Sequence, residues 1–279
     1  MPAESRRGKR GVLAAGAQFS VVARRETGTF TRMKRLPPSA LVLVFAAAIA
    51  SAPLARAQDN MMNAASVARG GHFVKPTAFD IAKVLPAPPQ PGSLAAQADL
   101  EAVLQTQAWR TPEQVAWAQF IDKDNQFNHA SVLGAWFTAE KLPVTAAFLN
   151  DVTDDVNAVG ALTKALYARL RPPQVEAHVQ PVVEVPTTAS YPSGHATRAY
   201  AWALVIAEIF PDKRDELLAR AHRAAWGRVI AGVHFPSDTI GGRLLAEAVV
   251  AELKKSGAFR AAVEKCRAEA AAAGVKKAA

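Results

Sequence analysis

From residue 95 to the last few positions of this chain, apolar residues recur at helical spacing, and no stretch alternates with period two for long enough to make a strand. The pattern runs through segments near 95–108, 112–121, 129–140, 143–170, 194–209, 212–232, 238–255 and 257–272, with Ala, Leu, Glu, Lys and Arg between the apolar positions. Thr111-Pro112-Glu113 is a helix start, and Pro143 and Pro211 fall near two others, because proline is tolerated in a first helical turn but not further in. Half of the 279 residues are hydrophobic, enough to bury a full core. The expected fold is all-α, a single helical-bundle domain over 95–279. Residues 58–94 precede it as a Pro/Gly-rich arm, with Pro86, Pro88, Pro89 and Pro91 close together.

A formal net charge of +9 would suggest a polyanionic partner if it were spread over the fold. It is not: residues 1–57 hold 10 Lys/Arg against 2 Asp/Glu, leaving 23 against 22 for the remainder. Nucleic acid is therefore not expected as a partner. The basic leader reads as an export signal over 33–57. Met33-Lys34-Arg35 is its charged start, residues 41–50 its apolar run, and Ala55-Arg56-Ala57 its small-x-small cleavage site. Cleavage near Ala57 would place the mature chain in the periplasm or outside the cell. Residues 1–32 are Arg-rich without a long apolar stretch and read as a mis-assigned N-terminal extension, with translation starting at Met33. Cys266 is the only cysteine, so no intramolecular disulfide can support the exported fold. After Ala57 no apolar run approaches the ~20 residues that a membrane-spanning helix needs.

Three patches of basic and small residues stand out from this helical background. Lys164 lies seven residues before Arg171, a spacing of two turns on one helix face, with Pro172 and Pro173 ending the helix and Arg169 as a solvated third charge. Tyr191-Pro192-Ser193-Gly194-His195 leads into an apolar helical run, so Ser193 is a natural N-cap and the free N–H groups beside Gly194 make an anion site. Arg228 ends another helix, His234 follows past Gly232, and Asp238 sits in the next first turn, where its carboxylate can orient one ring nitrogen of His234. Fixed cations, a small-residue turn and two imidazoles are what phosphoryl transfer requires, since it is catalysed mainly by positioning and charge neutralisation. The remaining histidines, His72, His129, His178 and His222, have no ligand spacing and are expected at surface or capping positions. Asp122 and Asp124 resemble the start of a calcium loop but lack its glycine and terminal glutamate, so a solvated loop is expected there and no metal site.

Taken in order, Lys-x6-Arg-Pro, Pro-Ser-Gly-His and Arg-x5-His-x3-Asp resemble the signature of the type 2 phosphatidic acid phosphatase superfamily, which also contains the vanadium haloperoxidases. Within it, the stretch from Ala189 to His195, the segment from Lys164 to Pro172 and the export signal look most like the secreted bacterial class A nonspecific acid phosphatases. The resemblance covers roughly residues 90–255. One position departs from it: the third motif usually begins Ser-Arg, and here Gly227 precedes Arg228, removing a hydroxyl from the expected phosphate network. Pro173 and the pair Phe235-Pro236 are expected to reshape the pocket rim.

The resemblance implies a helical bundle of that superfamily's kind and a metal-independent acid phosphatase of broad specificity acting on small phosphomonoesters. His234 would be the nucleophile that forms a phosphohistidine, Asp238 its orienting group, and His195 the acid and then the base. Lys164, Arg171, Ser193, Gly194 and Arg228 would hold the phosphate oxygens. No cofactor is implied, and a homo-oligomer is left open. A vanadium-dependent haloperoxidase would use the same residues to hold vanadate; a non-enzymatic phosphate-binding protein would keep the cations but have no need of both histidines. N-terminal sequencing of the exported protein is expected to read from Gln58; a full-length chain retained in the membrane fraction would overturn that cleavage.

Overall fold

The computed structural model describes residues 64–273, and the expected export signal at 33–57, its extension at 1–32 and the start at Gln58 lie outside the described residues. Among the described residues, seven longer helices carry the fold and no strand occurs: α1 (Leu94–Trp109), α2 (Pro112–Asp122), α3 (Pro143–Tyr167), α4 (Gly194–Ile209), α5 (Arg214–Ile230), α6 (Pro236–Leu253) and α7 (Gly257–Ala272). The all-α expectation holds. Local chemistry sets several starts. Ser93 Oγ accepts from Ala96 N–H at 3.1 Å before α1, and Thr111 and Gln114 exchange hydrogen bonds in a capping box that opens α2 at Pro112. None of the helices among the described residues is long and apolar enough to cross a membrane.

Two expected helices end early. The segment 129–140 forms only a 3-10 turn, Gln126–His129, and one α turn, Ala130–Leu133, before Gly134 adopts φ 109° and breaks the run. Its aromatic residues pack irregularly instead, with Phe137 fully buried against Phe127, Trp136 and Phe210. The segment 143–170 stops at Tyr167, where Ala168 takes the left-handed conformation at φ 45°.

Helix α4 is the centre of the bundle. Twelve of its sixteen residues are buried, so it has no polar face and must be surrounded. Helices α3, α5 and α6 pack around it, with α7 covering part of it and α3. The close approach of α6 to the start of α4 depends on two glycines. A Cβ on Gly242 would lie 2.8 Å from the Ser193 carbonyl oxygen and 2.8 Å from Ala196 Cβ, and one on Gly241 would lie 2.5 Å from the Tyr191 ring. Glycine therefore brings the starts of α4 and α6 close together, which is where the second and third sequence patches end.

The segment 122–129 is not the solvated loop expected from its aspartates. Arg220 of α5 is fully buried and pairs with Asp124 at 2.6 and 3.1 Å while its Nε donates to the Asn128 carbonyl at 3.1 Å. Eight residues on, Arg228 donates to Asp122 Oδ1 at 2.7 Å. Two arginines on one face of α5 thus tie this segment to the bundle, an arrangement that requires the packing of α2 on α5 and that no local sequence pattern encodes. His129 is likewise fully buried, with Nδ1 3.0 Å from the Gln126 carbonyl, and burial together with nearby Arg220 draws its pKa down to about 4. The other three histidines fit the bland expectation: His72 is partly exposed beside Asp151, His178 pairs with Glu176, and His222 meets the Tyr200 hydroxyl at 3.2 Å.

The arm expected at 58–94 is described from residue 64 and contains a helical stretch at 64–69, the 3-10 turn Pro76–Ala78 and the short helix Ile81–Val84. One buried carboxylate fixes it. Asp155 of α3 accepts from the N–H groups of Gly71, His72, Phe73 and Val74 at 2.6, 2.8, 2.8 and 3.2 Å. Further along, the hydroxyls of Tyr167 and Tyr191 donate to the Leu85 and Pro86 carbonyls. Replacing Asp155 by Ala leaves four ordered donors without their acceptor, so Asp155→Ala is expected to destabilise the fold by ~2–4 kcal/mol. It should also open residues 70–75 to limited proteolysis; an unchanged melt with no new cleavage there would contradict this account.

Candidate active site

The eight residues singled out from the sequence converge on the region where α3 ends, α4 and α6 begin and α5 terminates. A cavity of about 230 Å³ opens there, lined by Lys164, Arg171, Gly194, His195, Arg198 and His234 with Asn157, Thr188 and several small residues. Among the described residues no carboxylate lines it. Its size suits a small phosphoester rather than a large ligand.

Lys164 and Arg171 reach the cavity by different routes, and the expectation that they share one helix face fails. Arg171 is extended, at φ −84° and ψ 160°, because the ring of Pro172 excludes the α conformation from the residue before it. From there the side chain turns inward. Its Nε donates to the Thr188 carbonyl at 2.8 Å, its Nη2 to Thr188 Oγ1 at 3.2 Å, and its Nη1 to the Val233 carbonyl at 2.9 Å. Lys164 Nζ, in the last turn of α3, donates to the Ala189 carbonyl. Both cations are thus fixed to the chain just before the second motif, and Arg171 also to Val233 beside His234.

The protonation of His234 follows from its neighbours. Arg171 Nη1 lies 3.1 Å from His234 Nε2, and a guanidinium can only donate, so Nε2 carries a lone pair. The ring proton then sits on Nδ1, which faces Asp238 Oδ2 at 3.2 Å. Burial, and after it the charges of Arg171, Lys164, Arg228 and Arg169, hold the His234 pKa well below its ordinary value. The ring is a neutral imidazole with its free electron pair on the nitrogen nearer the cations. That is the state a nitrogen nucleophile needs.

Asp238 is fully buried and accepts from four directions. Besides His234 Nδ1, Oδ2 accepts from Ser190 Oγ at 2.6 Å and from Phe235 N–H at 2.9 Å, and Oδ1 accepts from Arg169 Nη1 at 2.6 Å. Arg169 in turn bonds Asp99 of α1 at 2.8 Å and lies over the Phe235 ring, 4.2 Å from its centroid. Arg169 is therefore not a solvated charge but the largely enclosed counter-ion of the carboxylate that orients His234. Asp99, Ser190 and Arg169 were not legible as site residues. Arg169 stands in the cluster Arg169-Leu170-Arg171-Pro172, but only the left-handed turn at Ala168 aims it inward.

His195 occupies the first turn of α4. Its Nε2 lies 3.1 Å from the Asp122 carbonyl, which only accepts, so Nε2 bears a proton and Nδ1 is the nitrogen left to exchange one. Burial, followed by Arg198 and Arg228, pushes its pKa well below the ordinary value. Ser193 caps the helix as expected, its Oγ accepting from Ala196 N–H at 3.4 Å, and its own N–H donates to the Asp238 carbonyl at 2.9 Å. The motif of His195 and the motif of His234 are thereby joined through the backbone.

Arg228 is fully buried behind the open cavity, close enough for its charge to act on both histidines. One nitrogen pairs with Asp122, while Nε and Nη2 meet no acceptor among the described residues. Each buried donor without a partner costs on the order of 1–3 kcal/mol, and an oxyanion offered to both would offset that cost. Gly227, where the family's usual serine is missing, faces the opposite way: a Cβ there would lie 3.4 Å from Trp117 Nε1 and 3.5 Å from Ile121. The glycine shapes the packing of α2 on α5, not the cavity wall. Pro173, Phe235 and Pro236 also lie away from this wall, and Phe235 instead lines an apolar hollow with Arg169 and Pro88–Pro91.

The sequence pattern of the PAP2 superfamily matches residues 144–260 of this chain, a span that includes all eight residues. It is 28% identical over 204 residues to a non-specific acid phosphatase of Providencia stuartii, covering 69% of this chain and 81% of that one. A non-specific acid phosphatase of Salmonella typhimurium is 33% identical over 143 residues, half of this chain and 57% of the relative. Among solved structures, a bacterial vanadium-dependent iodoperoxidase aligns with a TM-score of 0.52 at 20% identity, over 64% of this chain and 54% of that chain, a likeness of fold alone.

The electrostatics of the two rings can be read directly. In a nitrogen-resolved NMR titration, His195 and His234 are expected to keep the neutral-ring pattern at pH 6.5, where an unperturbed imidazole is about half protonated. Inorganic phosphate should move the His195 titration to higher pH by offsetting the surrounding cations. Half-protonation of either ring at pH 6.5 in the free protein would refute the assignment.

Proposed function

We propose that this protein is an exported acid phosphatase that hydrolyses small phosphomonoesters through a phosphohistidine, with broad specificity and without a metal. A phosphatase-like hydrolase is the class its acid phosphatase relatives carry. The observation that carries the finer reading is the state of His234: neutral, buried, its Nδ1 proton held by Asp238 and its Nε2 lone pair beside a cationic cavity.

In the first step Nε2 of His234 attacks phosphorus as the ester P–O bond breaks in line with it. His195 delivers the proton from Nδ1 to the departing alkoxide, which leaves as the alcohol. Lys164, Arg171 and the Gly194 N–H stabilise the equatorial oxygens, with Arg228 offering its two unpartnered donors and Ser193 its hydroxyl hydrogen. Asp238, itself neutralised by Arg169, stabilises the positive charge that develops on the His234 ring. In the second step His195, now neutral, takes a proton from water as the oxygen attacks phosphorus and the N–P bond breaks. Phosphate leaves and His195 is again protonated.

The depressed pKa of His195 sets the pH dependence. Its acid form is required in the first step and is lost as pH rises through its pKa. Because the free-enzyme value lies below about 6.5, kcat/KM is expected to fall with rising pH from a point on the acid side of neutrality. The fall in kcat should come at higher pH, since the bound anion favours the imidazolium.

Rapid-quench labelling separates the two histidines. His234→Ala should form no phosphoenzyme at any pH. His195→Ala should still be labelled by an activated aryl phosphate and should release the label slowly, losing ~10²–10⁴-fold on alkyl esters with poor leaving groups. Activity of the native protein should survive exhaustive chelation and be inhibited by vanadate, which mimics the five-coordinate transition state. Labelling of His234→Ala, or activity lost to chelator and restored by a divalent ion, would overturn the mechanism.

A further inference from the structure

Arg198 has no role in the scheme above, yet it lines the cavity with Lys164, Arg171 and both histidines. It stands four residues after Gly194 on α4. Long side chains on a helix lean toward its N-terminus, so Arg198 folds back over the first turn, and its Nη1 would lie 3.5 Å from a Cβ placed on Gly194. Among the described residues its side chain makes one hydrogen bond, to Asn157 Oδ1, long at 3.4 Å, and Asn157 lines the same wall. No carboxylate lies within ion-pair distance of it among the described residues. Asp124, the acidic group nearest in effect, is already bound to Arg220 and Asn128.

We propose that Arg198, with Asn157 beside it, forms a second anion subsite on the leaving-group side of the pocket, so that the preferred substrates are phosphomonoesters bearing a further phosphate or carboxylate close to the scissile ester. The inference rests on the phosphatase reading and specifies its substrate class.

Its placement on that side follows from the two histidines. Arg198 stands three residues after His195 on one face of α4, whereas His234 meets Arg171 Nη1 at 3.1 Å, with Lys164 on the same cavity wall. The transferred phosphoryl sits among the second set, next to the nucleophile. The group attached to the departing oxygen passes His195 and meets the first. Burial and the charge of Arg228 draw the Arg198 pKa down to about 10, so the guanidinium stays charged at working pH but sits unfavourably without a counter-charge. An anionic substituent supplies one. An uncharged substituent would instead cover the guanidinium and leave its donors unmet.

The test compares kcat/KM for 3-phosphoglycerate and glycerol 3-phosphate, which differ in having a carboxylate or a hydroxymethyl group at the far end. The native protein is expected to prefer 3-phosphoglycerate by roughly tenfold to a hundredfold, the range of a charge-assisted hydrogen bond. In Arg198→Gln that ratio should fall to near one, and in Arg198→Lys it should be intermediate, with a thermal melt run on each variant. Equal rates in the native protein, or a preference that survives in Arg198→Gln, would overturn the subsite. 4-Nitrophenyl phosphate separates the levels of failure. If it is hydrolysed while the two glycerol compounds are not distinguished, the subsite alone is wrong; if no ester is hydrolysed, the phosphatase reading falls and the subsite with it.

Discussion

One buried carboxylate holds the candidate active site together. Asp238 accepts hydrogen bonds from Arg169, Ser190, His234 and Phe235, which come from the end of α3, the start of α4 and the connection between α5 and α6. An ionised carboxylate without exposure is costly unless it is paired and fully hydrogen-bonded. Here each oxygen is satisfied, and through Arg169 the network reaches Asp99 on α1. Removing any one donor would leave the charge less compensated and loosen the ring of His234. The same group caps α6 from within, so the chemistry and the helix start share one side chain.

Around it the protein concentrates positive charge against two neutral imidazoles. This arrangement is unfavourable for the free protein: among the described residues Arg228 keeps two buried donors without acceptors and Arg198 meets no carboxylate, and both histidines resist protonation. It becomes favourable when an anion enters. On the proposed function, a bound phosphate would offset these charges and raise the affinity of His195 for its proton. Stability elsewhere carries that cost, through a central helix α4 buried on nearly every side and an arm fixed by Asp155.

Much of the site was readable from spacing. Ser193 caps α4, His234 falls in a short connection, and Asp238 lies in the first turn of α6 because Pro192, Gly232 and Pro236 punctuate the chain in ways that local physics enforces. The reading failed where one residue turned the chain. Lys164 and Arg171 have ideal helical spacing, but Ala168 in the left-handed conformation and the proline after Arg171 break the helix between them. Arg169 changed from an apparently solvated charge to the partner of Asp238 for the same reason. Asp122, Asp124 and His129 looked like surface residues because a polar residue carries no local mark of burial, and only the arginines of α5 enclose them.

The sequence by itself determined that the fold is helical and where most helices begin, and it singled out eight residues that the structure brings to one region. Periodicity, capping and proline placement act within a few residues and survive in any conformation of the rest. The tertiary structure alone decided that Arg169 and Asp99 brace Asp238, that Asp122 holds both Arg228 and His195, that Gly227 faces Trp117 rather than the cavity, and that Arg198 lines it. Those contacts join residues as far apart as Asp99 and Arg169 or Asp122 and Arg228. A pairing of that range depends on how whole helices pack, so it becomes definite only when the core is formed.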